Sequence, residues 1–213
     1  MQIFKNMPSK LQYEFLVCLY KDLIMECPFF NSYDTSFIIR MIPLVRPINF
    51  SKGEFVWRSG EYSSNVFFIK KGELKCVIEY EHYDKTKPHK IYKKKIVIED
   101  HKNHNEHLQS LKDIYSPEKD KILAFKGMTN GSYFGEEDIL LRRRRIYSVI
   151  AREETQAYYL SRIDFENVLM NEFPHILKEL RHLCMKKEAK NQNLMKQALH
   201  NYQNNLQLEK SVN

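Results

Sequence analysis

Apolar residues recur every three or four positions near the start of the chain, which is the spacing of one face of a helix. This face is formed by Leu11, Phe15, Leu16, Leu19, Leu23 and Ile24. Ser9 is a suitable N-cap, because its hydroxyl can accept a hydrogen bond from a backbone amide of the first turn. The helix should end near Cys27, since Pro28 disfavours the helical conformation in the residue before it. A second, short helix is predicted after Asp34, and it ends before Pro43.

The pattern changes in the middle of the chain. All six glycines lie between Gly53 and Gly135, and glycine favours tight turns and weakens helices. Short runs rich in β-branched and aromatic residues lie between these turns, at 55–57, 66–69, 74–78, 91–98, 122–125, 148–151 and 157–160. Many short strands with regular turns are typical of an antiparallel barrel or jelly roll. Residues 99–121 are polar and lack periodicity, so we interpret them as a surface loop inserted between two strands.

Helical spacing returns after Ser161. A short helix is predicted up to Phe173, and a long helix follows at Pro174. The apolar face of the long helix consists of Ile176, Leu177, Leu180, Leu183 and Cys184. Beyond Tyr202 the tail is rich in Asn and Gln and loses this pattern, so fraying is predicted there. The predicted fold class is α+β: an antiparallel, jelly-roll-like β-roll with flanking N-terminal helices and two C-terminal helices.

Composition narrows the range of functions. The 213 residues carry a net charge of +7, which fits either an anionic partner or a solvated, lysine-rich surface. The four cysteines form no CxxC pair, so we expect neither a structural zinc site nor an oxidising compartment. Apolar runs are all shorter than the roughly 20 residues that span a bilayer, and the N-terminus lacks the apolar region of a signal peptide. We therefore expect a soluble cytosolic segment, which could belong to a larger membrane protein.

The segment from Gly131 to Arg145 has the strongest functional pattern. Gly135 would let backbone amides approach an anion closely, and a short helix starting at Glu136 would point further amides toward the same place. An arginine that follows could pair with that anion, whereas Glu136 suits a hydroxyl such as that of a ribose. These groups together suit a sugar phosphate. The alternative for this segment is a turn and a helix without a ligand, in which the arginines at the end are solvated.

The order Phe134-Gly135-Glu136, three intervening residues, two leucines and then Arg145 resembles the phosphate-binding cassette of cyclic-nucleotide-binding domains. The stretch from Phe50 to Gly72 is similar to the opening strands of the same family, with glycines at the family's turns. Residues 7–30 resemble the end of the helical linker that joins this domain to the pore in cyclic-nucleotide-gated and related voltage-gated, potassium-type channels. This resemblance implies a helical linker at 1–30, a β-roll at 31–175 and a long helix with its tail at 176–213.

The resemblance also implies roles for individual residues. Glu136 would bind the ribose 2′-hydroxyl, Arg145 would pair with the cyclic phosphate, and Gly135 would supply a backbone amide. The other residues implied at the site are Phe134, Ile146 and Tyr147 on the roll, with Leu180, Leu183 and Cys184 on the C-terminal helix that closes over the base as a lid. The ligand would be cyclic AMP or cyclic GMP.

On this interpretation the chain is the cytosolic gating module of an ion channel, at the cytoplasmic face of a membrane. Its partners would be the pore domain of a longer chain and the other copies of a homotetramer. Nucleic acid is not an expected partner, because no helix-turn-helix follows the long helix. The chain lacks the common hydrolase, P-loop and metalloprotease motifs, so we expect no enzyme and no cofactor.

Two departures from the family pattern lead to an alternative. Channel members that bind nucleotide usually have Thr or Ser and then Ala after the cassette arginine, whereas this chain has Ile146 and Tyr147. Ile146 lacks the hydroxyl, and Tyr147 is large enough to fill the pocket. Glu137 and Asp138 add negative charge near an anionic ligand. The alternative is a degenerate, ligand-independent domain of the same fold that serves assembly or protein interaction.

A histidine cluster at 101–107 could hold a metal if the segment were helical. His104 and His107 would share one face of a helix. The segment is polar and offers no hydrophobic shell to fix the ligands, so a solvated loop is the preferred interpretation and no metal is predicted.

Overall fold

The computed structural model describes residues 6–80 and 121–212. The helices within these ranges are α1 (Ser9–Glu26), α2 (Pro28–Asn31), α3 (Thr35–Met41), α4 (Glu136–Leu140), α5 (Arg162–Asn171) and α6 (Pro174–Val212). The strands are β1 (Arg46–Phe50), β2 (Phe55–Trp57), β3 (Asn65–Lys71), β4 (Leu74–Tyr80), β5 (Lys121–Met128), β6 (Tyr133–Phe134), β7 (Ser148–Ala151) and β8 (Thr155–Ser161). The predicted strand at 91–98 and residues 99–120 of the predicted loop lie outside the described residues, whereas Lys121, the last residue assigned to that loop, begins β5.

The strands form two antiparallel sheets of four strands each. One sheet has the order β1-β8-β3-β6 and the other the order β2-β7-β4-β5. Strands that are distant in sequence are therefore hydrogen-bonded neighbours, as in β1 with β8 and β2 with β7. This arrangement confirms the predicted fold class, an α+β chain with an antiparallel roll and helices on both sides of it.

The N-terminal helices largely follow the sequence signals. Asp34 caps α3, since its carboxylate accepts a hydrogen bond from the Phe37 amide at 3.0 Å. The prediction for α1 is wrong in one detail: Ser9 is the first helical residue, and Pro8 holds the cap position without a side-chain hydrogen bond. Within α1 the backbone at Tyr20 is not helical, with φ −125° and ψ 31°.

The buried apolar residues form two separate cores. One lies between the N-terminal helices, α5, the start of α6 and one face of the roll, with the fully buried rings of Phe29, Phe30, Phe37 and Phe165 in it. The other fills the interior of the roll, around Trp57. Because the first core contains residues of α1 and of α6, the N-terminal helices pack against the start of α6.

The long helix α6 continues to Val212, where the sequence pattern predicted fraying. Polar side chains still interact across single turns there, as His200 and Asn204 do at 3.1 Å. Such contacts between residues four apart stabilise an exposed helix without an apolar face. Among the described residues, no helix is long and apolar enough to cross a membrane.

Candidate functional site

Gly135 sits at the turn between β6 and α4, in a place that only glycine fits. Its φ of +95° is in the left-handed region that favours glycine. A Cβ at this position would approach the Asn65 carbonyl oxygen to 2.9 Å and the two terminal nitrogens of Arg145 to 3.1 and 3.2 Å. The turn is therefore packed closely against β3 and against the cassette arginine.

The three residues after Gly135 bring three carboxylates into the protein. Glu136, Glu137 and Asp138 form the first turn of α4 and are 1%, 3% and 2% exposed. Acidic groups are favourable at the start of a helix. Buried carboxylates nevertheless require partners, because removing a charge from water is costly. The positions of these partners determine what the site can bind.

The terminal nitrogens of Arg145 are bonded within the roll and α4, while its buried Nε has no hydrogen-bond partner among the described residues. Its Nη1 donates to the Gly135 carbonyl at 2.8 Å and to Asp138 Oδ2 at 3.2 Å, and its Nη2 donates to the Asn65 carbonyl at 2.9 Å. The guanidinium carbon lies 3.9 Å from the centre of the Trp57 ring, a cation–π contact. The side chain is 2% exposed. The guanidinium predicted to hold a phosphate is thus occupied by backbone carbonyls and an aspartate.

The Gly135 amide, also expected to face the ligand, is occupied as well. It donates to Glu137 Oε2 at 3.1 Å. A carboxylate of the chain therefore accepts the hydrogen bond that the family resemblance assigns to a cyclic phosphate.

Glu136 is held by Lys187, which lies on α6. The Lys187 ammonium donates to Glu136 Oε1 at 2.5 Å and lies 3.7 Å from Glu137 Oε1. The same ammonium donates to the Tyr133 carbonyl at 3.2 Å and lies 4.0 Å from the centre of the Tyr133 ring. Glu136 Oε2 has no hydrogen-bond partner among the described residues. The end of the site expected to hold a ribose is closed by a side chain from the long helix.

These contacts separate the two glutamates electrostatically. Burial raises the pKa of Glu136 to about 7, and the adjacent Glu137 carboxylate acts in the same direction. Burial also opposes ionisation of Glu137, but the Lys187 ammonium and nearby backbone amides lower its pKa overall. Burial disfavours the charged form of Lys187, yet the two carboxylates raise its pKa. The Lys187 ammonium therefore keeps Glu137 ionised. It also interacts with Glu136, which binds a proton more readily than Glu137 does.

The other predicted roll residues belong to the roll's own core. Phe134 is buried and its ring stacks on that of Phe67, with the centres 5.4 Å apart. Tyr147 is 4% exposed, and its ring meets Phe125 edge to face at 5.4 Å and packs near Trp57. Ile146 is half-buried and packs against the same cluster. Tyr147 thus fills space inside the roll.

The predicted lid residues of α6 lie elsewhere. Leu180 and Cys184 are buried in the core shared with the N-terminal helices, and Leu183 is 38% exposed. The α6 residues that face the roll come later, at Lys187, Asn191 and Met195. Asn191 accepts a hydrogen bond from the Lys126 ammonium at 3.1 Å, and Met195 packs against the roll cluster.

Sequence reasoning missed Lys187 and Asn191. The signal was present, because residues 180, 184, 187, 191 and 195 continue one helical face at spacings of three and four. Lys187 and Asn191 are polar, so a pattern of apolar residues does not identify them.

The run of four arginines divides between site and surface. Arg143 donates to Asp138 Oδ1 at 2.8 Å and pairs with Glu188 of α6, so it also ties α4 to the long helix. Arg142 is exposed, and Arg144 lies over the Tyr62 ring. In residues 6–80 and 121–212, no group of three or more His, Cys, Asp and Glu side chains is arranged to hold a metal. The histidines at 101–107 lie outside those ranges.

No protein-family model matches the chain. Among proteins with assigned functions it is 22% identical over 185 residues to the cyclic nucleotide-gated channel cone photoreceptor subunit alpha of Gallus gallus, covering 84% of this chain and 20% of that protein. It is 21% identical over 185 residues to cyclic nucleotide-gated channel alpha-3 of Homo sapiens, covering 84% and 21%. The chain therefore spans about a fifth of the length of these relatives.

Solved structures share the fold. The regulatory domain of Toxoplasma gondii PKA with cAMP matches with a TM-score of 0.53 and 16% identity, over 81% of this chain and 49% of that one. The regulatory subunit of a cAMP-independent protein kinase A from Trypanosoma cruzi, bound to guanosine, matches with a TM-score of 0.55 and 16% identity, over 87% and 52%. The PKAR CBD2 domain bound to Sp-2Cl-cAMPS gives 0.54 and 14%, over 90% and 94%. The resemblance found in the cassette is confirmed, and the chain has the fold of cyclic-nucleotide-binding domains.

Proposed function

We propose that the chain is a non-enzymatic regulatory domain of the cyclic-nucleotide-binding fold whose ligand site is closed by its own side chains. One observation carries this proposal. The three groups that the resemblance assigns to a ligand, the Gly135 amide, the Glu136 carboxylate and the Arg145 guanidinium, are each bonded within the chain. The domain then works through the position of α6, and no nucleotide is needed to bring α6 onto the roll.

Opening the phosphate end of this site would require several kcal/mol of free energy. A phosphate could pair with the terminal nitrogens of Arg145 only if they left Asp138 and two carbonyls. Breaking a buried ion pair by removing one partner costs about 3–5 kcal/mol, because the other charge stays buried without compensation. Tyr147 would also have to leave the space that it fills inside the roll.

The core shared by α1–α3 and α6 provides the route of regulation. Leu180 and Cys184 of α6 lie in the same apolar cluster as Leu23 and Ile24 of α1. Packed cores deform little, so a displacement of α6 must be passed to the helices beside it. In the channel setting that the relatives suggest, α1 would lead to the pore domain of a longer protein. Four copies would surround that pore at the cytoplasmic face of a membrane.

Titration with cyclic nucleotides tests the closed site. A ligand at 1 mM with a Kd of about 10 µM would stabilise the fold by about 2.7 kcal/mol, which raises the melting temperature by several degrees. We expect cyclic AMP and cyclic GMP to produce no measurable shift and no heat in calorimetry at this concentration. A saturable stabilisation by either nucleotide would overturn the proposal.

A second function, nucleotide binding, is favoured by one specific observation. Glu136 Oε2 is buried and has no hydrogen-bond donor among the described residues, and a ribose hydroxyl would supply one. Under this alternative a cyclic nucleotide displaces Lys187 from Glu136 when it enters. The titration would then show saturable binding that Glu136→Gln weakens, whereas Arg144→Ala, a change at the surface, leaves it intact.

A further inference from the structure

Lys187 is the point at which the long helix α6 is attached electrostatically to the site. Its ammonium reaches Glu136 and Glu137 of α4 and the carbonyl of Tyr133 at the end of β6. The lysine side chain is 27% exposed, while the two glutamates are 1% and 3% exposed. A cation on the rim of the site thus neutralises carboxylates that lie inside it.

Other cations near the two glutamates have other partners. Lys126 of β5 donates to Asn191, and Arg143 and Arg145 pair with Asp138. Without Lys187, two adjacent buried carboxylates would therefore keep no directly paired cation among the described residues. Buried charges without a partner are strongly unfavourable, so the glutamates hold the lysine, and with it α6, firmly in place.

The two parts of α6 are attached by different forces. The first part packs into the apolar core through Ile176, Leu180 and Cys184, which are 3%, 1% and 1% exposed. After Lys187, the contacts that remain are the ion pair of Glu188 with Arg143, the Asn191 hydrogen bond and the half-buried Met195. The hydrogen bond from the Lys126 ammonium to Asn191 is charge-assisted, and the pair of Glu188 with Arg143 is partly exposed, so neither compensates a fully buried charge. The second part of the helix therefore depends on the ion pair of Lys187 much more than the first part does.

We propose that the bridge formed by Lys187 with Glu136 and Glu137 holds α6 closed over the site, and that breaking it releases the helix from residue 187 onward while residues 176–184 stay packed. This inference rests on the proposed function, because it names the contact that keeps the site closed. The bridge is then the element through which any signal that opens this domain must act.

Hydrogen exchange of the full chain tests the bridge. A released helix that extends into water has little support from packing, so its amides exchange faster. In Lys187→Met we expect amides at 188–200 to exchange about tenfold faster or more, and amides at 176–184 to be unchanged. The matched control is Lys186→Met, which removes an exposed lysine one position earlier. Equal exchange at 188–200 in wild type and Lys187→Met would overturn the proposal.

Two further variants keep the test decisive. Lys187→Arg retains the positive charge and should restore slow exchange, which a lysine acting only by its shape would not predict. If Lys187→Met does not fold, the triple variant Glu136→Gln, Glu137→Gln, Lys187→Met removes the stranded charges together with the cation. That protein should fold with α6 released, and slow exchange at 188–200 in it would contradict the bridge.

Cyclic-nucleotide titrations separate this inference from the proposed function. Saturable binding to the wild type would refute the closed site, even if the exchange data support the bridge. No binding to the wild type together with unchanged exchange in Lys187→Met would refute the bridge and leave the proposed function standing.

Discussion

The two ends of the candidate site are closed in different ways. At the end expected to hold a ribose, Glu136 is covered by Lys187, which lies 51 residues later in the chain on α6 and outside the roll. At the end expected to hold a phosphate, Arg145 and Tyr147 are covered by the roll itself. The first closure can be undone by moving one helix. The second can be undone only by repacking the core.

This difference separates regulation from stability. A contact between α6 and α4 can change while both sheets keep their hydrogen bonds. Arg145, by contrast, connects the turn at Gly135 with the carbonyl of Asn65 on β3. We therefore expect substitutions at the phosphate end to change the free energy of unfolding, and substitutions at the ribose end to change mainly the position of α6.

The largest effect is expected at Arg145. Arg145→Ala removes one of the two arginines paired with the buried Asp138 carboxylate and the hydrogen bonds that its guanidinium donates to two carbonyls. The free energy of unfolding should therefore fall by about 3 kcal/mol, because Arg143 keeps part of the compensation. Urea denaturation measures this change. Arg144→Ala is the control, because Arg144 is exposed over the Tyr62 ring. If both variants lose equally little stability, the phosphate end is not part of the core.

The next largest loss in the free energy of unfolding, of nearly the same size, is expected at Tyr147. Replacing a buried aromatic ring with alanine leaves a cavity, and Tyr147→Ala should cost about 3 kcal/mol in the same denaturation experiment. Tyr147→Phe keeps the ring and should cost much less. The alanine variant also tests whether the ring keeps a ligand out of the site. If Tyr147→Ala binds cyclic AMP or cyclic GMP saturably, the Tyr147 ring is what excludes the nucleotide. If it does not, Arg145 and Glu137 close the site without it.

A smaller effect depends on pH and isolates the ribose end. The pKa of Glu136 is raised to about 7 by burial from a usual value of 4.5, so the folded chain keeps a proton that the unfolded chain releases. The stability from this group is complete below pH about 4.5 and is lost as the pH rises through about 7. Glu137, with a lowered pKa, acts in the opposite sense at more acidic pH.

Wild type should therefore lose about 2 kcal/mol relative to Glu136→Gln between about pH 5 and pH 7. Paired denaturation curves at several pH values measure this difference. A difference that stays constant with pH would mean that Glu136 keeps an ordinary pKa.

The smallest effect is expected at Leu183. This residue was predicted to form part of a lid, and its side chain is 38% exposed. Leu183→Ala should change the free energy of unfolding by no more than about 0.5 kcal/mol. Leu180→Ala, at a buried position on the same helix, should cost about 2–4 kcal/mol. A large loss at Leu183 would place the docked face of α6 elsewhere.

The sequence was informative where a pattern is local. Apolar spacing predicted the helices, glycines predicted the turns of the roll, and Phe134-Gly135-Glu136 placed the cassette. It could not show the partners of Arg145, because two of them are backbone carbonyls, and any residue type provides these. It also could not show that Lys187 faces the site, since a lysine on a long helix has the same pattern whether it meets water or a buried carboxylate.

The break in α1 at Tyr20 has a mechanical consequence. It divides the helix into a first segment, 9–19, and a second segment, 21–26, which is anchored by Leu23 and Ile24. The first segment carries the exposed Leu11 and Leu19 and has Leu16 as its fully buried residue. A pull applied near Ser9 would therefore reach the core first through Leu16 and only then through Leu23 and Ile24. Because the backbone is already bent at Tyr20, such a pull would be divided between two anchoring points that lie at an angle to each other.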